Sequence, residues 1–442
     1  MESILITIFV VGYLAIAFEH NINVNKAASA LFIGCLSWLM YMTLSGEDYI
    51  TVDEKLLGHL GEISQILFFL LGAMTIVEII DAHNGFQAIT KRITTQNTTK
   101  LLWIIASLAF FLSAVLDNLT TTIVMITIVR KMIKDRSIRL YFISLIVIAA
   151  NAGGAWSPIG DVTTTMLWIG GQISAANIML KLFIPSLICM IIPIFITNLM
   201  IQLHQKKPKV HAAEVKHEHL HHGSHHPKAE VTKKQSYQVL IMGVLALVLV
   251  PIFKTVTHLP PFMGVLMNLG VLWIYVEVMH RKAKEEVKGL LSVMNVIRRV
   301  DVPSVLFFLG ILMAVACLQE AGILKTAAKS LEAAIGNIDM ICIVLGLLSA
   351  IVDNVPLVAA AMGMYSLEQF PQDHNFWELI AFTTGTGGSS LIIGSAAGVA
   401  AMGLEKVDFF WYLKNISWIA LAGYFGGIFF FLIFQEHLFG LF

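Results

Sequence analysis

The sequence predicts an all-α polytopic membrane protein of two inverted-topology repeats, each with a re-entrant hairpin and a discontinuous transmembrane helix. Three observations predict it. First, 57% of the 442 residues are apolar and only 13% are charged, about half the usual charged share, and the mean hydropathy is +0.79. Second, a set of short motifs recurs in the same order in the two halves. Third, four of the apolar runs are interrupted at their centres, two by Asp-Asn and two by Gly and Pro or Gly and Ser. A soluble chain this apolar could not cover its surface with polar groups, so a soluble enzyme is excluded. The 29 Lys+Arg balance 29 Asp+Glu without a basic stripe, which disfavours nucleic-acid binding.

Apolar runs of spanning length lie at about 3–18, 28–44, 63–80, 139–170, 176–203, 237–253, 261–280, 302–320, 377–403 and 411–434. The first lacks a basic leader and a small-residue cleavage site, so it reads as a span and not as a signal peptide. Runs 101–132 and 338–365 are split by Asp117-Asn118 and Asp353-Asn354 into short arms. Segment 204–236 is polar, rich in Lys and His, and reads as a cytoplasmic linker between a first repeat (1–203) and a second (237–442). Its histidines, among them His217, His219, His221, His222, His225 and His226, suit a solvated linker; metal binding or pH sensing is the other reading. Cys35, Cys189, Cys317 and Cys342 form no CxxC pair and read as apolar packing residues.

The duplication is visible in the residues. Phe68-Phe69-Leu70-Leu71-Gly72 is echoed by Leu-Phe-Phe-Leu-Gly at 306–310, and Ser113-Ala-Val-Leu-Asp117-Asn118 by Ser349-Ala-Ile-Val-Asp353-Asn354. Asn151-Ala-Gly153-Gly154 with Ile159-Gly160-Asp161 is echoed by Gly385-Thr-Gly387-Gly388 with Ile393-Gly394-Ser395. Such ordered correspondence implies internal duplication. If each Asp-Asn segment enters and leaves on one side, each half makes five true crossings, an odd number, and the halves are inverted. One side then collects 24 Lys and Arg and the other 5, which puts the richer side in the cytoplasm and both termini outside. Two full passes per segment would leave these sides unchanged. Length favours re-entrance, because each arm has about 12–16 apolar residues against the ~20 needed to span.

A carboxylate deep in an apolar segment costs several kcal/mol unless neutralised, paired or solvated. No Lys or Arg lies near Asp117 in sequence, so a proton or a bound cation is the natural partner. A helix ending at a hairpin tip offers free carbonyls and a negative dipole end, and Thr120, Thr121 and Thr122 add hard oxygens. The alternative is that Asp117 and Asp353 simply N-cap the second arm. Asn151, Asp161, Thr163 and Thr164 surround the first Gly/Pro break, and Ser389 and Ser390 lie in the second. Non-helical backbone at membrane depth is tolerated only where it lines a cavity. A packing kink is the competing reading of each break. The first half carries Asp161 where the second has Ser395, so it is the better cation site. Glu78 and Asp81 near His83 read as a solvated interfacial cluster with a proton relay as the alternative, and Glu19, Glu62, Glu277 and Glu320 sit at span ends where charge costs little.

Ser-Ala-x-x-Asp-Asn followed by Asn-x-Gly-Gly-x-x-x-Pro-Ile-Gly-Asp resembles the ion transporter superfamily, and within it the NhaD-type sodium/proton antiporters. The resemblance covers essentially the whole chain. It implies inverted repeats, a homodimer, a mobile transport domain (about 101–170 and 338–403) and a scaffold made mainly of the remainder. Relatives that move dicarboxylates carry Ser-Asn-Thr at the tips; carboxylates there would repel an anion, which favours a cation-only cycle. The expected function is exchange of Na+ (or Li+) for H+ by an elevator-type movement in the prokaryotic inner membrane, with no cofactor and no enzymatic activity. Asp117, Asn118, Asn151, Asp161, Thr163 and Thr164 form the expected main site. Asp353, Asn354, Ser389 and Ser390 form its partner, and Ser113, Thr120, Thr121, Ser349 and Ser395 support it. The alternative is a sodium-coupled transporter of a small organic anion or oxyanion. An intramembrane aspartyl protease would use two Asp as a shared-proton dyad, but the sequence has no Tyr-Asp partner and no Gly-x-Gly-Asp.

Overall fold

A computed structural model describes residues 1–17, 19–86, 95, 97–204, 231–283 and 289–438. The His-rich stretch of the 204–236 linker lies outside the described residues. Within them all regular structure is helical. The helices are α1 (Glu2–Ala17), α2 (Glu19–Ile22), α3 (Lys26–Leu44), α4 (Tyr49–Ala82), α5 (Thr98–Ser113), α6 (Asn118–Met132), α7 (Arg136–Ala155), α8 (Val162–Ile169), α9 (Ala175–His204) and α10 (Lys233–Thr257). They continue as α11 (Pro261–His280), α12 (Val293–Ile297), α13 (Val302–Glu320), α14 (Ile323–Ile335), α15 (Ile338–Leu348), α16 (Asn354–Met364), α17 (Asn375–Gly387), α18 (Ala396–Glu405), α19 (Phe409–Asn415) and α20 (Ser417–Leu438). Among the described residues, seven helices are long and apolar enough to cross a membrane, or up to nine if each of two bent pairs is one span. The chain is an integral membrane protein.

Exposed apolar side chains such as Phe32, Leu180, Val256 and Ile274 leave large hydrophobic surfaces that lipid or another protein surface must cover. Burial is uneven. The apolar window of α7 is 83% buried and that of α11 is 22% buried, so α7 is a central helix and α11 a peripheral one. Several boundaries differ from the hydropathy runs. Helix α4 extends over 34 residues and begins at Tyr49, because Asp48 caps it by accepting from the Thr51 N–H at 2.9 Å. The terminal run is split into α19 and α20, bent by 52°. The arms before and after each Asp-Asn are short: α5 and α6 have 16 and 15 residues, α15 and α16 have 11 each. At 1.5 Å per residue none exceeds about 24 Å, against a hydrocarbon core of about 30 Å.

Glycines set the close helix crossings. A Cβ on Gly34 would lie 2.5 Å from the Gly310 carbonyl oxygen, so α3 and α13 touch backbone to backbone. Helix α4 meets α11 at Gly72, whose Cβ would strike Val265. The Phe-Phe-Leu-Gly echo is therefore also a contact echo: each such helix packs on an N-terminal helix of the other half.

Candidate functional site

The first tip is built by a cap. Helix α5 ends at Ser113, the chain turns, and Asp117 N-caps α6. Its carboxylate accepts from the Thr120 N–H and the Thr120 hydroxyl, both at 2.7 Å. The capping role foreseen as an alternative is thus present, and it orients the next residue. Asn118 turns inward, buried, and its Nδ2 donates to Asp161 Oδ2 at 2.7 Å and to Asn151 Oδ1 at 3.1 Å. The first break follows the same logic. Helix α7 runs to Ala155, the Ser157-Pro158-Ile159-Gly160 turn interrupts it, and Asp161 N-caps α8. Asp161 Oδ1 accepts from the Thr163 N–H at 3.0 Å and its hydroxyl at 2.9 Å, while the Thr164 hydroxyl donates to the Asp161 carbonyl at 2.9 Å.

The second half converges on the same point. Asn354, one residue after the Asp353 cap of α16, donates to Asp161 Oδ1 at 3.4 Å. Asn151 Nδ2 donates to the Ser389 hydroxyl at 2.8 Å and the Ser395 hydroxyl at 2.9 Å. Asn118, Asn151, Asp161, Asn354, Ser389 and Ser395 thus form one buried polar network spanning both tips and both breaks. No Lys, Arg or His among the described residues lies within ion-pair distance of the buried Asp161 carboxylate. The hydroxyls of Thr121, Thr122 and Ser390 are buried without a hydrogen-bond partner.

The two tips match in their supports. Ser113 Oγ donates to the Ala150 carbonyl at 2.6 Å, and Ser349 Oγ reaches the Gly346 and Thr384 carbonyls at 2.7 and 3.0 Å. These serines bind tip to broken helix; they do not bond the aspartates themselves. Gly153 and Gly387 make equivalent close approaches, with a Cβ 2.1 Å from the Phe110 oxygen and 1.9 Å from the Gly346 oxygen. A larger residue at either position would push an arm away from its broken helix.

Asp353 departs from the expected arrangement. Its carboxylate lies outside the network, is about a quarter exposed, and has the Lys26 ammonium 3.9 Å away. That lysine lies 327 positions away in sequence, so the local absence of a basic residue did not reveal it. Asp117 likewise caps and is partly accessible, so at both tips the asparagine, not the aspartate, faces Asp161. Other charges were missed altogether. Glu378, fully buried in α17, accepts from Lys181 of α9 at 3.0 and 2.9 Å and from Asn177. Glu405 pairs with Arg130 and, at 3.0 Å, with Arg139. A charge inside an apolar run signals Glu378; nothing in local sequence signals its partner. Glu78 is less separate than a solvated cluster would be, since it lies within electrostatic reach of Asp81, Arg299 and Asp117.

Comparison with known proteins identifies the family. Residues 13–387 match a family described as citrate transporter. The chain is 47% identical over 424 residues to sodium/proton antiporter 1 of Arabidopsis thaliana, covering 95% of this chain and 70% of the relative. It is 45% identical to sodium/proton antiporter 2 of the same plant, covering 95% and 97%. It is 31% identical over 455 residues to the Na(+)/H(+) antiporter NhaD of Alkalimonas amylolytica, covering 96% and 88%. The chain belongs to the NhaD-type sodium/proton antiporters.

Proposed function

We propose that the protein exchanges Na+ (or Li+) for H+ across the membrane. The observation that carries the reading is Asp161: a buried carboxylate surrounded only by neutral donors. Burying an anion without a counter-charge is costly, so the site favours a proton or a small cation on it. The two alternatives exclude each other, and that competition is the exchange. Asp161, Asn118, Asn151, Thr163 and Thr164 form the main site, with Asp117 at its rim. Asn354, Ser389 and Ser390 supply the second half. The unpartnered hydroxyls of Ser390 and Thr121 suit a hard oxygen-seeking cation.

We read the two halves as inverted repeats with re-entrant hairpins. The short arms, the matched caps and the matched glycine approaches support this, as does the charge asymmetry of the loops. In that reading 101–170 and 338–403 move as a transport domain against the rest, the protein is a homodimer in a prokaryotic inner membrane, and its termini lie outside. Antiport follows when the proton-loaded and cation-loaded forms cross and the empty, charged form does not.

The family description leaves a sodium-coupled anion transporter as the second reading. The names of the relatives and the buried Asp161 carboxylate, which would repel an anion, favour antiport. Proton flux in proteoliposomes under imposed voltage, with Na+, Li+ and K+ in turn, tests it. Na+-driven proton movement without added anion is expected. Uptake that requires an organic or oxyanion co-substrate contradicts it.

A further inference from the structure

We infer that Lys26 is a positioning residue for the cation site: with the Tyr13 hydroxyl it pins the second tip through Asp353, so that Asn354 reaches Asp161. The inference rests on the antiport reading of that site. The two tips differ in how they are held. At the first, Asp117 closes its own turn with two bonds of 2.7 Å to Thr120. At the second, Pro356 stands where the first tip has Thr120 and has no N–H to donate, and the remaining capping bond, from the Val355 N–H to Asp353, is 3.5 Å, at the limit of a hydrogen bond. Beyond the Ser349 support that it shares with the first tip, the second tip therefore draws on contacts from outside.

The outside contacts come from α1 and α3. The Asp353 N–H donates to the Tyr13 hydroxyl at 2.8 Å, and the Lys26 ammonium stands 3.9 Å from Asp353 Oδ2 while lying 4.5 Å over the Phe307 ring of α13. Phe307 thus fixes the lysine as the lysine fixes the tip. Asn354 is the very next residue, and its 3.4 Å bond is the longest in the polar network. A small release of the tip breaks that bond first. Lys26 and Tyr13 belong to helices outside the proposed transport domain and Asp353 belongs inside it, so the contact joins its two proposed parts.

Na+-driven proton flux of Lys26→Gln, Lys26→Arg, Asn354→Leu and Lys26→Gln/Asn354→Leu in proteoliposomes tests the inference. Lys26→Gln is expected to raise the apparent KM for Na+ about 3- to 5-fold, the share of one weak hydrogen bond, with kcat little changed. Lys26→Arg should stay within about twofold of the parent by the same reasoning, and the double variant should be no worse than Asn354→Leu alone. Equal thermal midpoints in detergent would exclude misfolding as the cause. An unchanged KM in Lys26→Gln, additive losses in the double variant, or no recovery with arginine would overturn it. A parent protein without Na+-driven flux would instead defeat the antiport reading. The contact is then judged by cross-linking Lys26→Cys with Asp353→Cys by a short bis-thiol reagent, in a background lacking the four native cysteines. A rapid cross-link is expected, and its absence overturns the inference.

Discussion

Replacing Asn118 by leucine removes the strongest neutral support of the Asp161 carboxylate while nearly preserving volume. Asn118 Nδ2 makes a 2.7 Å bond to an acidic oxygen and a 3.1 Å bond to the Asn151 amide. The first, to a charged acceptor, contributes about 1.5–3 kcal/mol and the second about 0.5–1.5 kcal/mol. Together they amount to about 2–4.5 kcal/mol. The anionic carboxylate that must bind Na+ loses this support, so Na+ competes less well. The apparent KM for Na+, read as Na+-dependent proton flux in proteoliposomes, should rise about 30-fold or more. Asn354→Leu removes only a 3.4 Å bond and should raise KM by no more than about fivefold. Parental KM in Asn118→Leu, or an equal loss in Asn354→Leu, would refute the reasoning.

Three further outcomes follow from the packing. Gly153→Ala puts a methyl group about 2 Å from a backbone oxygen that cannot rotate away, so α5 and α7 must separate by about 1 Å, costing about 1–3 kcal/mol of stability and lowering the exchange rate; a thermal melt and a flux assay check it. His83 caps α4, with Nδ1 2.7 Å from the Ile79 carbonyl and Nε2 3.0 Å from His280 Nε2, and burial pushes its imidazole down to about 4. The unfolded chain then binds a proton that the folded one does not, so stability is complete above about pH 6.5 and falls by up to about 3 kcal/mol towards pH 4; His83→Leu should flatten that slope in detergent melts. Lys254 of α10 donates to the Trp168 carbonyl at 2.7 Å, near the C-terminus of α8, and stands 4.7 Å over the Trp168 ring. Lys254→Met should lower stability by about 1 kcal/mol, measured as a reduced melting midpoint.

The parts of the site that were legible in sequence are those that local chemistry dictates. Asp117 and Asp353 each begin a helix because a short acceptor there satisfies free N–H groups, and the glycines around 153 and 387 allow backbone contact; that Asp161 and Ser395 cap helices in the same way emerges only in the structure. What was not legible depends on which side chain of an adjacent pair faces which way. A capping aspartate bends back to its own backbone, so the following asparagine occupies the shared centre; Asp353-Asn354 and Asp117-Asn118 both obey this. Pairings across long separations, Lys26 with Asp353 and Lys181 with Glu378, arise from packing of distant helices and leave no local pattern. Lys26 in particular reads in sequence as one more loop cation.

Proton release on Na+ addition to the purified protein, followed with a pH indicator in weak buffer, bears most directly on the competition at Asp161. Na+ should expel protons from the parent protein, and the Asp117→Asn/Asp161→Asn double variant should release none. Saturable Na+ binding with no proton released, or undiminished release from the double variant, would contradict the account.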